Sequence, residues 1–256
     1  MKRTVIKYKK IKFLILSFLI FNSIEITAQS TLQNIEEKVL QAMDKSIETQ
    51  TDQFQSIIEK LNAEYVKEKK DIINYWIGFT KYRQALFFLK IENDEQAAKV
   101  LNSGIEQLKV IKTLTSEDLS LQGTMVSLSI ALKPDLAAVL SGEASSLYDK
   151  AIKLNDKNLR AYLGIGRSDY YRPKKYGGGY KVESYLKQAL SMSDSNSDTS
   201  YAPKWGRDEV YYYLASFYHR EGKLDEAKLY CNKGLKLKRS YNHYRLMSLK
   251  EKLYKQ

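Results

Sequence analysis

The sequence predicts an all-α fold in which antiparallel helix pairs are laid side by side. Three observations carry that prediction. Only 3 prolines and 12 glycines occur in 256 residues, too few for the turns of a β-sandwich or barrel. Apolar residues recur three and four positions apart, the period of one helix face. One apolar stripe also returns four times, at Ala97, Val100, Leu101, Gly104, Ile105; at Ala144, Leu147, Tyr148, Ala151, Ile152; at Val182, Tyr185, Leu186, Ala189, Leu190; and at Ala227, Tyr230, Cys231, Gly234, Leu235. Small residues at its ends let a neighbouring backbone approach, and the larger middle pair fills the space between helices. The copies start 47, 38 and 45 residues apart, so about four pairs stack irregularly, the sequence pattern of an α-solenoid. A 43% apolar content excludes a wholly disordered chain.

Residues 1–12 carry Lys2, Arg3, Lys7, Lys9, Lys10 and Lys12 with no acid, ahead of an apolar run over 13–21. As a helix that run spans about 14 Å, half of a hydrocarbon core of about 30 Å. The expectation is therefore a signal peptide over 1–28, cut after Ala28, and no stable membrane span once it is removed. The single cysteine, Cys231, is far from that site, which excludes the lipoprotein route, and the expected location is a periplasm. The net charge of +12 loses six basic residues and one acid with 1–28, leaving +7. Residues 204–256 hold 13 basic and 6 acidic side chains, so the whole excess lies at the C-terminal end.

Two amphipathic helices are expected over 31–46 and 52–67, forming an N-terminal unit over 29–67 ahead of a repeat domain over 68–256. The stretch 71–90 reads as a long helix rich in aromatics, including Tyr75, Trp76, Phe79 and Tyr82. Pro134 marks a stop and restart, since proline fits a first helical turn and not an interior. Ser116, Glu117 and Asp118 read as a helix start with acids at the positive end of its dipole. The Ser, Asp and Asn of 191–203 predict a solvated loop, and 242–255 a capping helix.

In the last copy, Tyr211, Leu214, Ala215 and Tyr218 form one helical stripe, Gly222 breaks the chain, and Leu224, Ala227, Cys231 and Gly234 form the next. These residues resemble a tetratricopeptide repeat over 208–241, and 159–190 is similar to a second one with an insertion between its helices. The resemblance implies a right-handed superhelix whose first helices line a concave, partner-binding face, and a scaffold rather than an enzyme.

The insertion reads Tyr-Tyr-Arg-Pro-Lys-Lys-Tyr-Gly-Gly-Gly-Tyr over 170–180. Its P-x-x-x-G-G-G pattern resembles an insert of exported bacterial tetratricopeptide proteins. Gly177, Gly178 and Gly179 at a helix start, with Lys174 and Lys175 nearby, are candidates for holding an anion; the alternative is a plain glycine turn with solvated lysines. On the flanking helices, Arg160 and Arg167 share a face with Tyr170 and Tyr171 one turn beyond, while Tyr212, Ser216 and His219 share another. Side by side these faces are expected to form a basic, tyrosine-rich groove for an acidic or C-terminal peptide. The alternative is that the tyrosines pack between repeats.

The expected function is an exported, non-catalytic scaffold binding a protein or peptide, with a part in an envelope transport or secretion complex as one alternative. A helical protein binding nucleic acid or an anionic ligand is the alternative of another class, which the expected export disfavours. His219 and His243 stand 24 residues apart with no metal-ligand spacing, Cys231 lies in an apolar stripe, and Trp76 and Trp205 read as packing anchors. Neither a metal, a cofactor nor a catalytic set is expected.

Overall fold

The computed structural model describes residues 31–195, 199–237 and 242–255, so the expected signal peptide lies outside the described residues. Among these residues there are eleven α-helices and no strand. They are α1 (Ile35–Thr49), α2 (Gln55–Glu68), α3 (Asp71–Lys90), α4 (Asp94–Lys109), α5 (Ser116–Leu132), α6 (Ala137–Leu154), α7 (Leu159–Tyr171), α8 (Val182–Ser191), α9 (Arg207–Arg220), α10 (Leu224–Leu235) and α11 (His243–Tyr254).

Local chemistry sets several of these starts. The Asn93 side chain accepts the Gln96 amide ahead of α4, and Asn158 accepts the Arg160 and Ala161 amides ahead of α7; each satisfies donors that a helix leaves orphaned. At α5 the cap is Thr115, whose side chain exchanges hydrogen bonds with Asp118 in a reciprocal box. Ser116, read from the sequence as part of that start, instead donates to the Ala151 carbonyl at 2.7 Å and ties α5 to the end of α6.

Four hairpins follow one another, α3 with α4, α5 with α6, α7 with α8 and α9 with α10, and α11 covers the last. The four stripes are the buried faces of the outer helices: Ala97, Leu101 and Gly104; Ala144, Leu147, Tyr148 and Ala151; Val182, Leu186 and Ala189; Ala227, Cys231 and Gly234. The inner helices α3, α5, α7 and α9 pack in sequence beside one another. This is a helical solenoid.

Helix α3 has no polar face, with 13 of its 20 residues buried, so it is enclosed on all sides. Helices α1 and α2 cover it, and Leu32, Val39, Met43, Phe54 and Leu61 belong to the same hydrophobic core as the repeats. The rest of the cover comes from the far end of the chain. The Trp76 indole donates to the Tyr201 carbonyl at 3.0 Å, the Trp205 indole donates to the Tyr75 hydroxyl at 2.8 Å, and Arg83 pairs with Glu209 at 3.0 Å. The Lys90 ammonium lies 4.6 Å from the Tyr244 ring centre on α11. The solenoid therefore curls until its first inner helix meets its last. The expected solvated loop over 191–203 is corrected at its last residues alone: Ala202 and Pro203 are buried with Trp205 over the enclosed aromatics of α3, while Ser191, Ser193, Thr199 and Ser200 are exposed.

Candidate functional site

The curl decides where the predicted groove residues go. Arg160 is 1% exposed. Its Nε donates to Glu117 at 2.5 Å, and its terminal nitrogens donate to the carbonyls of Asp194, Pro203 and Trp205. Burial works against its charge, yet Glu117, Tyr75 and Glu36 together outweigh this and hold the guanidinium above the ordinary arginine value. This arginine fastens Asp194, Pro203 and Trp205 over the inner helices, so the expectation that it lines an open groove is corrected.

Arg167, one face-repeat along α7, is 8% exposed. It reaches the Tyr82 hydroxyl at 3.2 Å and Glu209 at 3.6 Å. Arg83, also buried, holds the other oxygen of Glu209 and lies 4.9 Å and 5.1 Å from the Phe79 and Tyr82 ring centres. Two cations thus share one carboxylate inside an aromatic box. For Arg167 too the cost of burial is outweighed, by the neighbouring Tyr82, Tyr148 and Tyr213 phenols and by Glu209, and its basicity stands well above the ordinary value.

Where the C-terminal end of α7 meets the middle of α9 the tyrosines do come together. Tyr170, Tyr171 and Tyr213 meet edge to face with centres 5.1 to 5.8 Å apart, and Tyr212 touches Tyr213 at 5.2 Å. Arg220 stacks on Tyr170 at 4.4 Å, and Arg245 on Tyr212 at 3.8 Å. The Tyr171 side chain is 61% exposed while its hydroxyl meets that of buried Tyr213 at 3.4 Å. Burial, and then Tyr171, push the Tyr213 phenol well above its ordinary value, against the opposing pull of Arg245 and Arg167. Ser216 is buried, and His219 is half-buried two residues beyond Phe217. The structure thus brings Tyr170, Tyr171 and Tyr212 into one patch and encloses Arg160, Arg167 and Ser216.

Sequence reasoning missed Tyr213, Arg220 and Arg245. Tyr213 belongs to neither helical stripe read along α9, and the signal that singles it out is its place between two inner helices. Tyr148 reads from the sequence only as a filler, yet its ring lies between α5 and α7 at their glycines. A Cβ added at Gly164 would stand 2.2 Å from it, and one at Gly123 2.8 Å.

The glycine insert is occupied by its own chain. The Gly177, Gly178 and Gly179 amides donate to the Lys174, Pro173 and Asp169 carbonyls, and the Asp169 carboxylate takes the Lys181 amide at 2.7 Å. Lys174 pairs with Glu221 at 3.2 Å, and Lys175 lies 4.9 Å from the Tyr176 ring centre. The geometry is that of the plain turn, and the reading of these residues as an anion cradle is corrected by the amides being spent internally. Cys231 is buried with its thiol toward the Leu246 carbonyl at 3.3 Å, and burial pushes that thiol up. Among the described residues no cluster of His, Cys, Asp or Glu has the makings of a metal site, and no helix is long and apolar enough to cross a membrane.

An all-helical solenoid of paired helices with an aromatic end patch defines the class, a fold of tetratricopeptide type. Neither a protein-family model nor a curated protein sequence matches the chain. Among solved structures it is similar to TTC0263, a thermophilic TPR protein of Thermus thermophilus, with 17% identity, 86% of this chain and 97% of that one covered, and a TM-score of 0.51. It is also similar to the HusA haemophore of Porphyromonas gingivalis, with 17% identity, 72% and 93% covered, and a TM-score of 0.55. At such identities the likeness is one of fold.

Proposed function

We propose that this protein is an exported, non-catalytic helical-repeat scaffold that binds a protein or peptide partner where the C-terminal end of α7 meets α9. The observation that carries this reading is the patch of Tyr170, Tyr171 and Tyr212 under Arg220 and Arg245, set against an interior filled by the chain's own side chains. Tyrosine and arginine supply contact area and directed hydrogen bonds at interfaces. Tyr176 and Tyr180, 68% and 84% exposed on the insert, extend the aromatic surface beside Arg172, Lys174 and Lys175. The basic excess of 204–256 favours an acidic partner segment.

A photo-crosslinking residue at position 171 in native cells, followed by mass spectrometry, tests this. One partner should be recovered from position 171 and not from exposed Val66, and Tyr171→Asp should abolish its co-purification. Equal recovery from both positions would refute the reading. A haemophore shares this fold, and tyrosine is a known haem ligand. Saturable haemin absorbance changes lost in Tyr171→Phe, with no protein recovered, would replace the scaffold by a haem carrier.

A further inference from the structure

Each inner helix turns into its outer partner at the same end of the solenoid, and two of those turns carry surface that the fold leaves in water. Helices α5 and α7 run side by side into that end, their Ser127 and Ser168 hydroxyls 3.2 Å apart, so the turns that follow them are neighbours. The turn after α5 is apolar. Lys133 and Asp135 are the only charged residues between Asp118 and Glu143. Leu136 and Val139 are 48% and 69% exposed, Ala131, Pro134 and Ala138 are exposed with them, and a Cβ added at Gly142 would touch nothing. The turn after α7 is basic and phenolic. It holds Arg172, Lys174, Lys175 and Lys181 with no acid between Asp169 and Glu183, and Tyr176 and Tyr180 stand out from it. Its backbone is fixed from below, since Asp169 takes the Gly179 amide on its carbonyl at 3.1 Å and the Lys181 amide on its carboxylate at 2.7 Å. Lys174 is committed to Glu221.

An aliphatic tip beside a basic, tyrosine-bearing one matches a layered target. Apolar side chains enter the acyl boundary, tyrosine rings settle at headgroup depth, and lysine and arginine are drawn to anionic headgroups. We propose that this end of the solenoid docks on the anionic surface of a lipid bilayer, with Leu136 and Val139 entering it and Arg172, Lys175, Lys181, Tyr176 and Tyr180 among the headgroups. The contact is peripheral, because no described helix is long and apolar enough to cross a membrane. It goes beyond the partner reading and does not depend on a partner crosslinking at position 171.

The test is co-sedimentation of the purified chain with vesicles of phosphatidylcholine alone and of phosphatidylcholine mixed equally with phosphatidylglycerol. The chain should bind the anionic vesicles and not the neutral ones. Binding should weaken as salt rises from about 0.1 M to about 1 M, which shortens the screening length from about 10 Å to about 3 Å. Combining Lys175→Gln with Lys181→Gln removes two exposed charges and should weaken binding about 25-fold, at about fivefold for each basic residue. Trp76 and Trp205 are buried, so a tryptophan introduced by Val139→Trp reports on the tip alone. Its emission should shift to the blue on anionic vesicles, and that of Val66→Trp, at a position 73% exposed on α2, should not. Failure to bind anionic vesicles would overturn the proposal. So would binding indifferent to the two lysine substitutions, or equal shifts at positions 139 and 66, either of which would mean a diffuse attraction of the basic C-terminal end. Recovery of a protein instead of lipid from a photo-crosslinker at position 176 in native cells would overturn it as well.

Discussion

At the scale of single residues, the buried arginines are structural parts. Removing the Arg160 side chain leaves Glu117 and three carbonyls without their donor, and breaking a buried pair from one side costs about 3–5 kcal/mol. Arg160→Ala should lower the unfolding free energy by that amount in denaturant titration, where an arginine on an open face would cost less than about 1 kcal/mol. Glu36 carries a pH signature. It accepts the Lys204 amide at 2.7 Å, and burial raises its pKa above the ordinary 4.5, against the pull of that amide. A carboxyl raised on folding stabilises in its protonated form below the unfolded value, and the contribution is lost as pH rises through the folded value. Wild-type stability should therefore fall relative to Glu36→Gln from about pH 4.5 upward, a divergence readable from thermal midpoints across that window. Parallel midpoints would contradict it. The patch residues Tyr170, Tyr171 and Tyr212 were legible because helical offsets put them on chosen faces. Arg160 and Arg167 were equally legible as sharing a face, but offsets carry no information on whether that face meets water or another helix.

At the scale of elements, the outer stripes were legible because each describes contact with helices adjacent in sequence, above all the partner in its own hairpin, which is local information. The glycines of α5 and α7 act over a longer range. Gly123 and Gly164 are 41 positions apart, yet the same Tyr148 ring requires both, so neither glycine signals its purpose within its own helix. Gly164→Ala should cost about 1–3 kcal/mol through overpacking. Tyr148→Leu should make that substitution much better tolerated, so the pair should be clearly non-additive in a double-mutant cycle. Additive costs would mean that the ring is free to swing aside. The segment leading to α9 could not be read as a lid, since its Ser, Asp and Asn content matches an ordinary surface loop, and among its described residues Ala202, Pro203 and Trp205 are the ones that turn inward.

At the scale of the whole molecule, closure departs from the behaviour expected of an open repeat array. Open solenoids are held by nearest-neighbour contacts, and their ends open independently. Here Arg83 and Glu209 join positions 126 residues apart, and the Trp205 to Tyr75 hydrogen bond joins positions 130 apart. Native-state hydrogen exchange should find the middle of α3 and the middle of α9 opening with the same free energy, as one cooperative unit. Fraying of α9 alone would show that the closure is weak. Nothing in the periodicity of the chain announces such a clasp, because a solenoid of this repeat number closes or stays open according to the small rotation between successive pairs.

The clasp also imposes an order on biosynthesis. A chain that emerges from the ribosome N-terminus first completes α3 long before Trp205 and Glu209 exist, so Trp76, Phe79 and Tyr82 wait more than a hundred residues for their final cover. During that interval the nascent protein presents an aromatic helix of the kind that chaperones shield and that aggregates seed from.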